Sequence, residues 1–192
     1  MRMPRTNFGD RINNPVSKIF WGRVPVVSAT SLFRFEKGSV YQALLHDLKY
    51  RGNRRVGTYL GRLLGQEIKR SSYSECDLLL PVPLHRKRLK QRGYNQSEII
   101  ARGASEITGI PVATNLIRRK RHGRSQTSLN RIERFENIST SFELCAHPVN
   151  LNDKKILIID DVITTGATLE ACSQLLYSHF NCKVYVATVS CA

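Results

Sequence analysis

Ile156-Leu-Ile-Ile-Asp-Asp-Val-Ile-Thr-Thr-Gly-Ala-Thr-Leu169 decides the fold of this chain. Its first four residues form a continuous apolar run, the mark of a β-strand buried on both faces. Asp160 and Asp161 are expected at that strand's carboxyl end. Small and hydroxylated residues follow and open into a helix over Thr168–Tyr177, with Leu169, Cys172, Leu175 and Leu176 on one side. Another strand is expected over Lys183–Ser190. Strand, helix and strand in about 35 residues require a parallel crossover. The predicted architecture is therefore α/β: a single domain with a mostly parallel central sheet flanked by helices, its ligands at the carboxyl ends of the strands.

The chemistry of the same stretch is legible. Thr164, Thr165, Gly166, Ala167 and Thr168 can aim backbone N–H groups and hydroxyls at one point, and Gly166 lets the chain bend. The helix start adds its dipole, so a phosphate monoester fits there. Two carboxylates would repel that phosphate, so Asp160 and Asp161 must bind something beside it: vicinal hydroxyls, a metal ion, or both. Phosphate at one end and a diol at the other outline a ribose 5-phosphate.

Working outward, residues 1–30 lack periodicity, contain Pro4, Pro15 and Pro25, and read as an irregular arm. Phe20, Trp21, Val24, Val26 and Val27 would pin it to the main domain, residues 31–192. Two amphipathic helices are expected after Ser39, separated at Tyr50–Asn53. Asp77–Val82 reads as a second buried strand. A basic loop follows it, and Asn95 with Glu98 starts a helix that ends near Thr108, before Gly109 and Pro111. Shorter strands are expected near Val112–Ile117 and Ile138–Leu144, with a polar, basic loop between.

The 192 residues carry a formal net charge of +15. Between Arg86 and Arg134 thirteen Lys or Arg face only three acids, so a polyanion is expected at that surface. The five cysteines show no zinc spacing and read as free thiols, as in a cytoplasmic protein. No apolar run approaches the roughly 20 residues of a membrane helix, so no membrane span is expected.

Asp160-Asp-Val-Ile-Thr-Thr-Gly-Ala-Thr168 resembles the motif by which type I phosphoribosyltransferases bind 5-phosphoribosyl-1-pyrophosphate (PRPP). That resemblance implies that Thr164–Thr168 hold the 5-phosphate and that Asp160 and Asp161 face the ribose hydroxyls. It also implies magnesium held mainly by PRPP itself, with no direct protein ligation. Pro81–Gln96, with five Arg or Lys, follows the other buried strand and suits a pyrophosphate. Together with Gln126-x-x-Leu129-x-Arg131-x-x-Arg134-x-x-Asn137, it resembles the ComF family, proteins linked to DNA uptake. The likeness spans about residues 15–192. It assigns the pyrophosphate loop to Pro83, Leu84, His85, Arg86 and Arg92. A flexible hood containing Arg124, Gln126, Arg131 and Asn137 would close over PRPP. His85 either lines the loop or faces water, and Tyr94 either stacks on a base or packs beneath the loop. Many ComF-like proteins carry an N-terminal Cys-x-x-Cys zinc module; this sequence has none, so no zinc is expected.

As an enzyme, the protein would displace pyrophosphate from C1 of PRPP, with Asp160, Asp161, Arg92 and Arg131 as the catalytic groups. Such chemistry needs charge placement and water exclusion rather than a protein nucleophile. Two alternatives use the same residues differently. One is a non-catalytic PRPP sensor. The other is a competence protein whose basic stretch tracks single-stranded DNA or meets other competence proteins.

Overall fold

The computed structural model describes residues 4–36, 38–120, 142–145 and 150–192. Strand β5 (Lys155–Ile163) is the centre of its main sheet. Ile156–Ile159 are fully buried, as a parallel strand covered on both faces requires. β6 (Lys183–Cys191) lies on one side of it and β2 (Leu78–Pro81) on the other, with β1 (Val26–Arg34) beyond β6. The order is β1-β6-β5-β2, and every pairing is parallel. The expected mostly parallel sheet flanked by helices is thus the observed one.

Alternate residues of β5 feed two cores. Ile156 and Ile158 join Phe20, Leu169, Cys172 and Leu176 on one face. Leu157 and Ile159 join Leu48, Leu60, Leu64 and Ile100 on the other. The first core is roofed by α1 (Pro15–Lys18) and α6 (Ala167–His179), and the second by α2 (Val40–Tyr50), α3 (Arg54–Lys69) and α5 (Gln96–Thr108). α3 and α5 touch almost backbone to backbone. A Cβ on Gly61 would sit 2.2 Å from the Ile100 carbonyl oxygen, and one on Gly103 2.5 Å from that of Thr58. This contact fixes α5, whose first turn reaches the carboxyl end of β5.

Five details differ from the sequence reading. Residues 26–30, read as part of an irregular arm, open β1 and hydrogen-bond to β6. Val24 and Phe20 are buried as pins, whereas Trp21, in the turn before β1, and Val27, at the start of that strand, stay exposed. The basic loop after β2 contains a helix, α4 (Arg86–Arg92), with His85 as its N-cap and Gly93 in the left-handed conformation at its end. Arg, Lys, Leu and Gln are all good helix formers, so the charge that suggested a loop is a helix surface. β5 does not stop at Asp160: both carboxylates lie within the strand, which runs on to Ile163. Finally, the short strands are β3 (Ile117–Arg119) and β4 (Phe142–Leu144), an antiparallel pair beside the main sheet. Val112 makes only an isolated bridge to Leu79.

The five cysteines are free thiols, with Cys76, Cys172 and Cys182 buried as core fillers. No helix among the described residues is long and apolar enough to cross a membrane.

Candidate functional site

The site is built where β5 hands over to α6. Thr164 and Thr165 are exposed, and Gly166 is buried at φ +78°. A Cβ there would lie 2.5 Å from Ile19 Cγ2 and 3.4 Å from the Phe20 ring. Glycine is therefore required twice, by the left-handed backbone and by the arm packed beneath it. No side chain among the described residues caps α6, which leaves its first-turn N–H groups to meet an anion. Arg23 Nη1 donates to the Thr165 carbonyl at 3.0 Å. The same guanidinium pairs with Glu170, the one acid in the first turn of α6, and so cancels a charge that would repel phosphate.

Asp160 and Asp161 have different surroundings. Asp160 Oδ1 accepts the Ser97 hydroxyl at 2.7 Å and the Asp161 N–H at 2.9 Å. Burial, followed by the neighbouring Asp161 charge, pushes its carboxyl up to about 7. Asp161 Oδ2 pairs with Lys49 Nζ of α2 at 3.1 Å. Asp160 Oδ2 and Asp161 Oδ1 have no partner among the described residues. Those two oxygens can accept hydroxyls, or waters of a magnesium ion that takes its ligands from phosphate and water. No group of three or more His, Cys, Asp or Glu converges among the described residues.

β2 ends beside this pair, since Pro81 stands opposite Ile159. The Val82 N–H donates to the Ile159 carbonyl at 3.0 Å, and Asn95 Nδ2 to the Val82 carbonyl at 2.9 Å. Both feet of the Pro83–Tyr94 excursion are thus tied next to Asp160. Pro83, Leu84 and His85 are half-buried, whereas Arg86 through Lys90 are exposed. His85 Nδ1 accepts the Lys87 N–H at 3.2 Å and caps α4. Arg92 turns back over the Tyr50 ring, 5.2 Å from its centroid. Tyr94 packs beneath the excursion: it is buried, donates its hydroxyl to the Leu48 carbonyl, and lies under Arg54.

The structure therefore brings together the acid pair, Thr164–Thr168 and the Pro83–Arg92 excursion. The hood residues Arg124, Gln126, Arg131 and Asn137 lie outside the described residues. Sequence reasoning missed three members. Ser97 carried a weak signal, a hydroxyl two residues past the helix cap Asn95. Lys49 carried none, because its partner is distant in sequence. Arg119, at the end of β3, looked like any other cation in Arg118–Arg121. Its guanidinium is partly buried over Phe142, its Nε has no hydrogen-bond partner among the described residues, and it lies within electrostatic reach of Asp160.

Comparison with known proteins identifies the family. The phosphoribosyl transferase domain family matches residues 90–190, just over half of the chain, and this segment contains α5, the acid pair and the Thr164–Thr168 turn. Competence protein F of Haemophilus influenzae is 31% identical over 137 residues, covering 69% of this chain and 60% of that protein. Competence protein ComFC of Streptococcus pneumoniae is 33% identical over 128 residues, covering 67% of this chain and 53% of that one. The chain thus spans little more than half the length of these relatives. Among solved structures, a purine phosphoribosyltransferase from Pyrococcus horikoshii aligns with a TM-score of 0.43 at 18% identity, covering 74% of this chain and 75% of that one. The family match covers the strand, acids and turn from which the site is built, and its relatives are competence proteins: this chain belongs to the ComF family of the phosphoribosyltransferase superfamily.

Proposed function

We propose that this protein binds PRPP with magnesium and transfers its phosphoribosyl group to an acceptor, releasing pyrophosphate, in the service of DNA uptake. One observation carries the reading: an acid pair and an uncapped, glycine-hinged helix start share a single strand-to-helix junction. The turn suits the 5-phosphate, and Asp160 and Asp161 suit the ribose diol. The cations after β2 stand where the pyrophosphate would lie. The magnesium would offset charge on the departing pyrophosphate. As the C1–oxygen bond breaks, positive charge develops on the ribose, and the carboxylates beside it favour that state. Ser97 orients Asp160 for this, and Lys49 balances Asp161. The DNA-uptake part of the proposal rests on the names of the relatives.

The test is thermal stabilisation by PRPP with magnesium, together with pyrophosphate release in a screen of nucleobases and amines. Stabilisation without any turnover would leave a PRPP sensor. No stabilisation at millimolar PRPP would sink the sugar-phosphate site.

A second reading, single-stranded DNA binding, is favoured by one surface. Arg86, Lys87, Arg88 and Lys90 are exposed on α4, whose last residue, Arg92, lies over the ring of Tyr50, itself 66% exposed. Cations interleaved with an aromatic suit a single strand. Salt-dependent binding that survives the Asp160→Asn, Asp161→Asn double substitution would support a DNA surface separate from the acids. Binding lost with the acids would refute it.

A further inference from the structure

We propose that Lys49, held by its pair with Asp161, is a ligand-contacting cation of the pyrophosphate subsite; this rests on the sugar-phosphate reading above. Lys49 lies on α2, outside residues 90–190 that the family match covers. Three observations converge on it. Its ammonium is 3.1 Å from Asp161 Oδ2, with the lysine side chain 25% and the aspartate side chain 14% exposed. The next residue, Tyr50, carries Arg92 on its ring. The preceding residue, Leu48, accepts the Tyr94 hydroxyl through its carbonyl. The end of α2 therefore bridges the acid pair and the far foot of the excursion after β2.

The chemistry of ribose says which end of the ligand this bridge meets. The carbon that carries pyrophosphate is bonded to the carbon that carries the 2-hydroxyl. The 5-phosphate hangs from the opposite side of the ring. A cation hydrogen-bonded to a carboxylate that accepts the diol is thus close to the leaving group and remote from the 5-phosphate. A lysine ammonium has three donors on a flexible stem, and Asp161 uses one. Lys49 can keep that bond while offering others to pyrophosphate oxygens. Asp161 also offsets part of the repulsion between Lys49 and Arg92 in the free protein.

A merely structural lysine would hold Asp161 in place and affect every ligand that uses the diol. A pyrophosphate-contacting lysine affects only ligands that carry pyrophosphate. The test is calorimetric affinity for magnesium-PRPP, magnesium-pyrophosphate and ribose 5-phosphate, in wild type, Lys49→Met and Lys49→Arg. Loss of a charge-assisted hydrogen bond corresponds to about tenfold to a hundredfold in affinity. That loss is expected for PRPP and pyrophosphate in Lys49→Met, with ribose 5-phosphate unchanged within about twofold and most of the loss recovered in Lys49→Arg. Equal losses for all three ligands, or unchanged PRPP and pyrophosphate affinity, would overturn the assignment. Wild-type protein that binds pyrophosphate but not PRPP would end the sugar-phosphate reading while still scoring Lys49. Wild-type protein that binds none of the three would end both. Lys49→Gln, scored the same way, replaces Lys49→Met if that variant does not fold.

Discussion

The two sides of the site proposed to bind phosphate are built on opposite principles. The turn Thr164–Thr168 is a backbone device with no cation of its own, wedged against the arm at Ile19 and Phe20 and held by Arg23. The excursion after β2 is a side-chain device. Its cations stand on a short helix with no buried residue and are exposed from Arg86 to Lys90. One side would gain its affinity from preorganised N–H groups; the other would gain it from charge, which salt screens. A rigid socket beside a screened, adjustable surface would suit the proposed ligand, which keeps its 5-phosphate and surrenders its pyrophosphate.

The largest effect should come from breaking the socket. Gly166→Ala adds a Cβ where Ile19 and Phe20 already stand, on a backbone at φ +78°. Strain and overpacking together should cost about 2–4 kcal/mol, read as a drop in denaturation midpoint. Affinity for ribose 5-phosphate should vanish with it. A variant that keeps wild-type affinity would show that the turn does not hold phosphate.

Next comes Asp160, which stands between the two regions. Its carboxyl is raised to about 7 by burial and by Asp161, whereas in the unfolded chain it titrates near ~3.9. The folded protein therefore holds a proton that the unfolded chain has released. This contribution to stability is present below about pH 4 and is lost as pH rises through about 7. Asp160→Asn keeps an acceptor for Ser97 and carries no charge. At pH 8 the variant should melt about 2–8 °C above wild type, and the gap should close toward pH 4, as scanning calorimetry at several pH values would show. A lower melting temperature at pH 8 would contradict a raised carboxyl. PRPP affinity should fall in the same variant, so stability and function would move in opposite directions.

Arg23 supports the socket from below. Arg23→Gln removes the bond to the Thr165 carbonyl and leaves Glu170 unpaired in the first turn of α6. Stability should fall by about 1 kcal/mol, and ribose 5-phosphate affinity about fivefold, because the freed acid opposes the helix dipole. Adding Glu170→Gln should restore most of the affinity. If it does not, Arg23 acts by shaping the turn rather than by neutralising Glu170.

How much of this the sequence disclosed depends on whether the information was local. Strand, acids, turn and helix are contiguous from Ile156 to Leu169, so periodicity and residue chemistry sufficed there. The arm was harder. Nothing in Asn14–Arg23 says that Ile19 and Phe20 pack under Gly166, or that Arg23 reaches Thr165, because these contacts join residues far apart in the chain. The same reason hid Lys49. At Arg86–Arg92 the error was of another kind. Charge density suggested a loop, while the intrinsic preference of Arg, Lys, Leu and Gln suggested a helix, and the exposed position let that preference prevail. Arg119 was invisible because adjacent cations in a basic run differ only in what covers them.

The smallest effects should come from the cation helix. Arg86 and Arg88 are exposed, and an exposed charge contributes about 0–1 kcal/mol through any one pair. Arg88→Ala or Arg86→Ala alone should leave the melting temperature within about 1 °C. PRPP affinity should weaken no more than about threefold. What should change is the salt dependence: each removed cation flattens the fall of affinity with added salt, while ribose 5-phosphate binding keeps its shallow slope. The contrast with Gly166 is the informative part. If a single arginine of α4 proved as costly as Gly166→Ala, this helix would have to fold onto the ligand as a second preorganised socket, and the division into a rigid side and a screened side would be wrong.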